Sequence, residues 1–477
     1  MNNKVISATK WSGITEIVAK LVNPITTMVL ARVLTPDSFG VVATISVVIS
    51  FAEIFTDTGF QKYIIQHEFK DINEQLENVN VAFWSNCFVS IFLWIIIALL
   101  RNQIAEIVGY PELGAVLLVS CVSIPLSGFS SIQIALLKRN FDFKTLFYVR
   151  IASLFLPLLI TIPVALICRN FWALIIGTIA NNILTAIILV SKSVWRPKLY
   201  YSFIQLKEML GYTIWTMMET ILVWLTLYLD LLIVGKVLDS YYLGIYRTSI
   251  ALVNQITNIV VGILVPVLFS ALSRFQHDKQ GFIRTFLVFQ KNAALIVFPL
   301  SVGIFIYRAL LTDVMLGTNW YEAIPFIGIW GLMNAPVLII SNMASEAYRA
   351  MGKPHIASLS QILHLAAVIP VVIISIKFGF ETLYYSRSFI RLEGVLVNLI
   401  ILKLLVDIPI VKMLKNIFPI VGASVIMGIC AYWFVGISTN KVWLFASIFL
   451  CSIIYMCVLC IFPTERKVLI KLKRIIY

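Results

Sequence analysis

The stretch Leu30-Ala-Arg-Val-Leu-Thr-Pro-Asp-Ser-Phe-Gly40 returns much later in the chain as Val234-Gly-Lys-Val-Leu-Asp-Ser-Tyr-Tyr-Leu-Gly244. Aligned on the terminal glycines, Arg32 meets Lys236 and Val33-Leu34 meets Val237-Leu238. Each copy links two apolar runs, 12–31 to 40–60 in the first case and 211–233 to 243–266 in the second. A helix that crosses the hydrocarbon core of a bilayer needs roughly 20 apolar residues, the length of each of these runs. The chain therefore contains the same pair of spanning helices twice, and the fold depends on how many further runs surround each copy.

Ten more runs are readable, at 79–100, 114–136, 146–168, 171–191, 292–310, 323–345, 356–376, 384–403, 416–437 and 442–462, which makes fourteen. The whole chain of 477 residues is 60% apolar and 13% charged, with a mean hydropathy of +0.95. Soluble domains carry about 25% charged residues, so this chain cannot cover a water-facing surface. The gaps are too short for a folded soluble domain, which begins near ~50 residues. A membrane β-barrel would alternate apolar and polar residues within each segment, and these runs do not.

A second correspondence, Pro125 with Pro336 and Lys138 with Arg349, joins the fourth and tenth runs. Six helices per repeat is an even number, so both halves share one orientation about an axis along the membrane normal. The sequence predicts an all-α polytopic membrane protein of fourteen transmembrane helices. Two pseudo-symmetric six-helix lobes, 1–199 and 200–405, would surround a central cavity, followed by two extra helices and a basic tail, 406–477. Within the join, Tyr200–Leu210 reads as a helix lying in the membrane interface.

The formal net charge of +14 points toward a nucleic acid until its distribution is considered. With the N-terminus inside, 25 of the 37 Lys and Arg fall in cytoplasmic segments, 7 in outer loops and 5 within spans. That is the positive-inside bias of a membrane protein, and it predicts both termini in the cytoplasm and no nucleic-acid partner. The basic tail after Pro463 suits lipid headgroups. Met1–Lys10 leads straight into the first span without a cleavage site, so this end is expected to stay attached. All seven cysteines lie in apolar runs and read as small buried hydrophobes; Cys457 and Cys460 have no His or acidic neighbours for a metal site. Trp11, Trp84, Trp195, Trp320 and Trp443 near run ends read as interface anchors. Pro24, Pro266 and Pro336 interrupt helical hydrogen bonding, as kinks or as hinges.

Eleven ionisable residues lie inside the spans: Glu16, Lys20, Glu53, Asp57, Arg150, Glu219, Asp230, Arg247, Arg387, Arg391 and Glu393. Each costs at least ~2.5–3.5 kcal/mol facing lipid at mid-depth, so they must face protein or water. Many recur at helical spacing: Glu16, Lys20, Asn23 and Thr27; Ser46, Ser50, Glu53 and Asp57; Thr216, Glu219, Thr226 and Asp230; Arg247, Asn254 and Asn258; Arg387, Arg391 and Asn398. Interhelical hydrogen bonding accounts for any one stripe, and Glu16 with Lys20 has the spacing of an i,i+4 pair. Five stripes together point to a hydrated cavity between the lobes. His364, with Gln361 one turn earlier, reads as a packing histidine.

Leu30–Gly40, Thr56-Asp-Thr-Gly-Phe-Gln-Lys-Tyr-Ile-Ile-Gln66, Val79–Asn86, Ala135–Lys144, Leu264–Arg274 and Leu316–Pro325 together resemble the polysaccharide-transport family of lipid-linked oligosaccharide flippases. This family sits in the multidrug/oligosaccharidyl-lipid/polysaccharide superfamily, and the likeness is greatest to its teichuronic-acid and colanic-acid translocase branch. It runs over about 30–350. Thr56-Asp-Thr-Gly-Phe is more polar than the family's usual Asp-Leu-Gly-Leu. The resemblance implies alternating access in the cytoplasmic membrane, moving undecaprenyl-diphosphate-linked repeat units outward for surface polysaccharide export, with no enzymatic step. Arginine suits a diphosphate because its planar fork holds two oxygens at once. Arg247, Arg387 and Arg391 are the leading candidates for that contact, with Lys20, Arg150, Asn254 and Asn258 beside them. Glu16, Glu53, Asp57, Glu219 and Asp230 are candidates to bind a driving proton or sodium ion. No other cofactor or metal is expected. Expected partners are the lipid-linked oligosaccharide, membrane lipids and the polysaccharide polymerase machinery, around a monomeric protein. The alternatives are a cation-coupled multidrug exporter of the same superfamily, against which the paired arginines weigh, and a membrane polymerase or glycosyltransferase, which would need a large loop or an acidic sugar-nucleotide motif.

Overall fold

Helix after helix in this chain turns apolar side chains outward, an arrangement that water disfavours and hydrocarbon permits. In the last helix, Lys441–Ile461, a stripe of Leu444, Ser447, Cys451, Tyr455 and Leu459 is buried, while Val442, Phe449 and Ile461 on the remaining surface are exposed. The computed structural model describes residues 2–57, 59–193 and 195–462, and the expected basic tail lies outside them. Among the described residues there is no strand.

Contacts divide the chain into two compact units, Met1–Arg247 and Thr248–Tyr477. The first holds α1 (Asn2–Val33), α2 (Pro36–Asp57), α3 (Gly59–Gln66), α4 (Ile72–Leu99), α5 (Arg101–Ile107), α6 (Gly114–Ser120), α7 (Ser123–Arg139), α8 (Phe143–Leu156), α9 (Ile162–Cys168), α10 (Trp172–Lys192) and α11 (Phe203–Val237). The unit boundary falls inside α12 (Ser240–Ser273). The second holds α13 (Lys279–Ile306), α14 (Arg308–Met315), α15 (Ala323–Pro336), α16 (Met343–Ala350), α17 (Pro354–Ser375), α18 (Phe380–Phe389), α19 (Arg391–Val406), α20 (Ile410–Ile437) and α21 (Lys441–Ile461). In the first unit α1 packs along α8, and α7 is surrounded by α2, α3, α4 and α10. In the second, α13 packs against α15 and α20, α20 against α21, and α17 against α16, α18 and α19.

Among the described residues twelve helical stretches are long and apolar enough to cross a membrane, and a thirteenth is α12, whose halves Ser240–Gly262 and Val267–Ser273 meet at 41°. That bend falls where Pro266, which lacks an N–H, interrupts the helix. These thirteen coincide with thirteen of the fourteen expected runs. The remaining run, 384–403, is split at Ile390 into α18 and α19, and Arg387, Arg391 and Glu393 cluster at the split. Pro24 lies inside a continuous α1, whereas Pro336 ends α15 and a π-helical turn, Val337–Asn342, follows it. Two expectations need correcting. Phe203–Leu210 is not a separate interfacial helix, because it continues without a break into the 35-residue α11. Trp320 is no interface anchor: it is fully buried in the short turn before α15.

The repeated loops meet inside the first unit, and they do so reciprocally. A Cβ on Gly40 would overlap the Ser240 carbonyl, four residues before Gly244, and a Cβ on Gly244 would overlap the Pro36 carbonyl, four residues before Gly40. Only glycine allows the starts of α2 and α12 to approach so closely. Ser240 Oγ donates to Asp37 across the same contact. Tyr110 OH donates to the Leu238 carbonyl at 3.2 Å, and Gly109 (φ +93°) lies against the Gly235 carbonyl. Burial, helped by the Asp239 and Asp37 carboxylates, raises the Tyr110 phenol above the usual tyrosine range.

Candidate functional site: arginines gathered on one tryptophan

In the second unit, α15 carries Trp330 and Asn334 one turn apart, and both are buried. The Arg391 guanidinium carbon lies 4.1 Å from the Trp330 ring centre and that of Arg387 lies 5.4 Å from it. Arg387 is only 8% exposed. Arg391 Nη2 donates to Asn334 Oδ1 at 2.6 Å, Asn334 Nδ2 donates to Thr257 Oγ1 at 2.9 Å, and Thr257 Oγ1 donates to the Val253 carbonyl at 3.0 Å. A chain of donors thus runs from α19 through α15 to α12. The Trp330 indole Nε1 is buried without a hydrogen-bond partner. Indole nitrogen is a donor only, so an oxygen acceptor is what would satisfy it.

Local structure explains the placement. The split at Ile390 puts Arg387 at the end of α18 and Arg391 at the first turn of α19. Across from them the π-helical turn after Pro336 departs from regular hydrogen bonding, a distortion often met at functional sites. Nearby, His364 Nδ1 lies 3.0 Å from Glu393 Oε2. Asn398, from the same stripe as the arginines, accepts from Tyr348 OH at 3.1 Å and donates to Ser360 at 2.9 Å, which ties three helices together.

The second unit also contains an apolar cavity of about 560 Å³ among α12, α13, α14, α20 and α21. Its walls include Ile256, Leu295, Leu311, Met427, Phe445 and Tyr455.

The first unit has a different cluster. Trp224 and Tyr228 stack at 5.5 Å on α11, and Trp224 Nε1 donates to Ser50 Oγ at 2.9 Å. With Glu53 of α2 these residues line a cavity of about 220 Å³. Arg247 lies over the Tyr228 ring at 5.6 Å. Asp230 is buried and accepts from Tyr246 OH at 2.8 Å.

The residues singled out in the sequence therefore separate. Arg387 and Arg391 come together on one ring, and Glu53 and Arg247 share Tyr228 as a neighbour. Glu16 and Arg150 are exposed and Lys20 is half-buried, and among the described residues no ion pair joins Glu16 to Lys20. Asn258 is exposed and Asn254 half-buried, while Thr257 between them is the residue that reaches Asn334. The side chains of Asp57 and Glu219 lie outside the described part of the structure. Trp330, Asn334, Thr257 and the His364–Glu393 pairing were not singled out. The signal available for the first two was their i,i+4 spacing in an apolar run.

Comparison with known proteins gives this geometry a setting. Residues 29–325 match the model of a family described as polysaccharide biosynthesis protein. An uncharacterized membrane protein in the cps region of Klebsiella pneumoniae is 22% identical over 375 residues, 78% of this chain and 76% of that one. The lipopolysaccharide biosynthesis protein WzxC of Escherichia coli is 21% identical over 385 residues, 78% of this chain and 75% of that one. Among solved structures, the lipid II flippase MurJ in an inward closed conformation has the same fold, with a TM-score of 0.77 at 16% identity, covering 95% of this chain and 98% of that one. The family match spans more than half of the chain, and this multi-span membrane protein belongs to the polysaccharide biosynthesis protein family.

Proposed function

We propose that the protein is a flippase that carries polyprenyl-diphosphate-linked oligosaccharide units from the inner to the outer leaflet of the cytoplasmic membrane, for surface polysaccharide export. One observation carries the reading. Two guanidiniums share the face of one buried tryptophan within an apolar span, beside an indole N–H that has no acceptor. A diphosphate offers the paired oxygens that guanidinium forks bind. The apolar cavity of about 560 Å³ suits a hydrocarbon chain attached to such a headgroup. The relative WzxC is named for lipopolysaccharide biosynthesis, and the structural neighbour MurJ for flipping lipid II.

On this reading Arg387 and Arg391 hold the diphosphate, and Arg247, Asn254 and Asn258 contact headgroup or sugar. Lys20 and Arg150 have supporting roles. Glu16, Glu53, Asp57, Glu219 and Asp230 bind the proton or sodium ion that drives an alternating-access cycle. The protein acts as a monomer with both termini in the cytoplasm and delivers its cargo to the polysaccharide polymerase machinery. The test is export in a strain deleted for this gene. Wild-type chain restores surface polymer, and Arg387→Ala/Arg391→Ala does not; full restoration by that variant, at equal membrane abundance, removes the phosphate role.

A further inference from the structure

Two titratable side chains without a role in this scheme meet in the second unit. His364 Nδ1 lies 3.0 Å from Glu393 Oε2, with side chains only 20% and 27% exposed. The His364 ring rests beside the α19 backbone at Gly394, where a Cβ would lie in ordinary van der Waals contact, 3.5 Å from His364 Nδ1. The same point is 3.9 Å from Ser341 Oγ, a buried hydroxyl without a hydrogen-bond partner. Besides Glu393, the charged groups that act on His364 are Arg387 and Arg391. The elements packed against α17 and α19 also carry Glu346, Arg349 and Tyr348 on α16, Lys377 after α17, Glu381, Tyr384 and Tyr385 on α18, Lys403 on α19, and Lys412 and Lys415 on α20. His355 lies at the start of α17 itself. Glu346 and Arg349 pair with one another at 2.7 Å. Among the described residues no ion pair joins Glu346, Arg349, Lys377, Glu381, Lys403, Lys412 or Lys415 to His364 or Glu393.

We propose that His364 and Glu393 form a proton-binding site, and that its occupancy sets how firmly Arg387 and Arg391 hold an anion. With one proton the pair is neutral overall; without it the pair carries a negative charge beside the two guanidiniums. In a low-dielectric setting that charge competes with a bound anion. Proton binding therefore strengthens anion binding, and by reciprocity the anion strengthens proton binding. The inference rests on the reading of the arginines as an anion site.

Two measurements on the full-length chain in detergent separate the inference from that reading. In ¹⁵N-histidine NMR the chain has four histidines, and His364→Gln identifies the His364 signal. That signal titrates with pH, and Glu393→Gln, which removes the anion favouring imidazolium, moves its midpoint lower by about one unit. Inorganic pyrophosphate is the second probe, its affinity compared at pH 6 and pH 8. The ratio of the two affinities is at least about fivefold larger in the wild type than in Glu393→Gln, and His364→Gln collapses it equally. The ionisation of pyrophosphate itself is common to all three proteins and cancels. A His364 midpoint unmoved by Glu393→Gln overturns the proton site. Equal pyrophosphate ratios in wild type and both variants overturn the linkage. A moved midpoint with no pyrophosphate bound at either pH upholds the proton site and overturns the anion site instead.

Discussion

In the first unit one guanidinium, Arg247, lies 5.6 Å from a tyrosine that also borders Glu53; in the second, two guanidiniums lie 4.1 and 5.4 Å from one buried tryptophan. Both units thus use an aromatic face to hold a cation in an apolar span, where the attraction is worth ~2 kcal/mol or more once water is excluded. They differ in sign. The first unit mixes one cation with two carboxylates, Glu53 and the Tyr246-bound Asp230. The second sets two cations on one ring with neutral donors, Asn334 and the Trp330 indole, and has the His364-bound carboxylate of Glu393 nearby. Ion exchange suits the first arrangement, and anion capture suits the second.

Removing Arg391 tests this contrast most severely. Hydrogen bonds to charged groups are worth ~1.5–3 kcal/mol, so Arg391→Ala is expected to lower pyrophosphate affinity or polymer export by about ten- to hundredfold. Arg247→Ala, over the smaller ring at longer distance, is expected to lose only several-fold in the same assays. Equal losses would erase the distinction between the units.

The next effect concerns the reciprocal glycines. Gly40→Ala forces its Cβ into the Ser240 carbonyl, and overpacking of this kind costs ~1–3 kcal/mol, readable as a lower thermal unfolding midpoint in detergent. Gly244→Ala does the same from the other side. Because either substitution alone separates the two loops, the double variant is expected to fall short of the summed losses. Additive losses would mean that the two glycines act independently.

Legibility in the sequence follows the range of the interactions. Apolar runs are local, and thirteen of the fourteen match spanning stretches in the structure. The repeat ending at Gly40 and Gly244 was equally plain, yet that each glycine makes room for the other's helix could not be read without tertiary contacts. The arginine pair was visible because charge in an apolar run is conspicuous. Its partners were not: Trp330 and Asn334 look like ordinary core residues of an apolar helix, and Thr257 is overshadowed by Asn254 and Asn258 on either side. His364 reads as a packing histidine because its carboxylate partner is far off in sequence and comes close only through the packing of α17 on α19. Trp320 misled because a tryptophan at the end of an apolar run is usually an anchor, whereas here the turn folds it inward.

Smaller effects sharpen the account of the first unit. Tyr246→Phe removes one donor to buried Asp230, which also accepts from the Leu231 N–H, and is expected to destabilise by ~1–3 kcal/mol in denaturant unfolding, with export reduced only as far as folded protein is reduced. Arg150→Gln is expected to change export by about twofold or less, since the side chain is exposed on α8. A severe transport defect in Arg150→Gln at normal abundance would extend the anion path beyond the Trp330 cluster.

The most direct measurement uses purified full-length protein in liposomes and a fluorescent polyprenyl-diphosphate oligosaccharide, with movement between leaflets followed by quenching from outside. The account predicts rapid translocation by the wild type and a fall to the protein-free rate in Arg387→Gln/Arg391→Gln. Translocation at the wild-type rate in that double variant, with the fold intact, would contradict it.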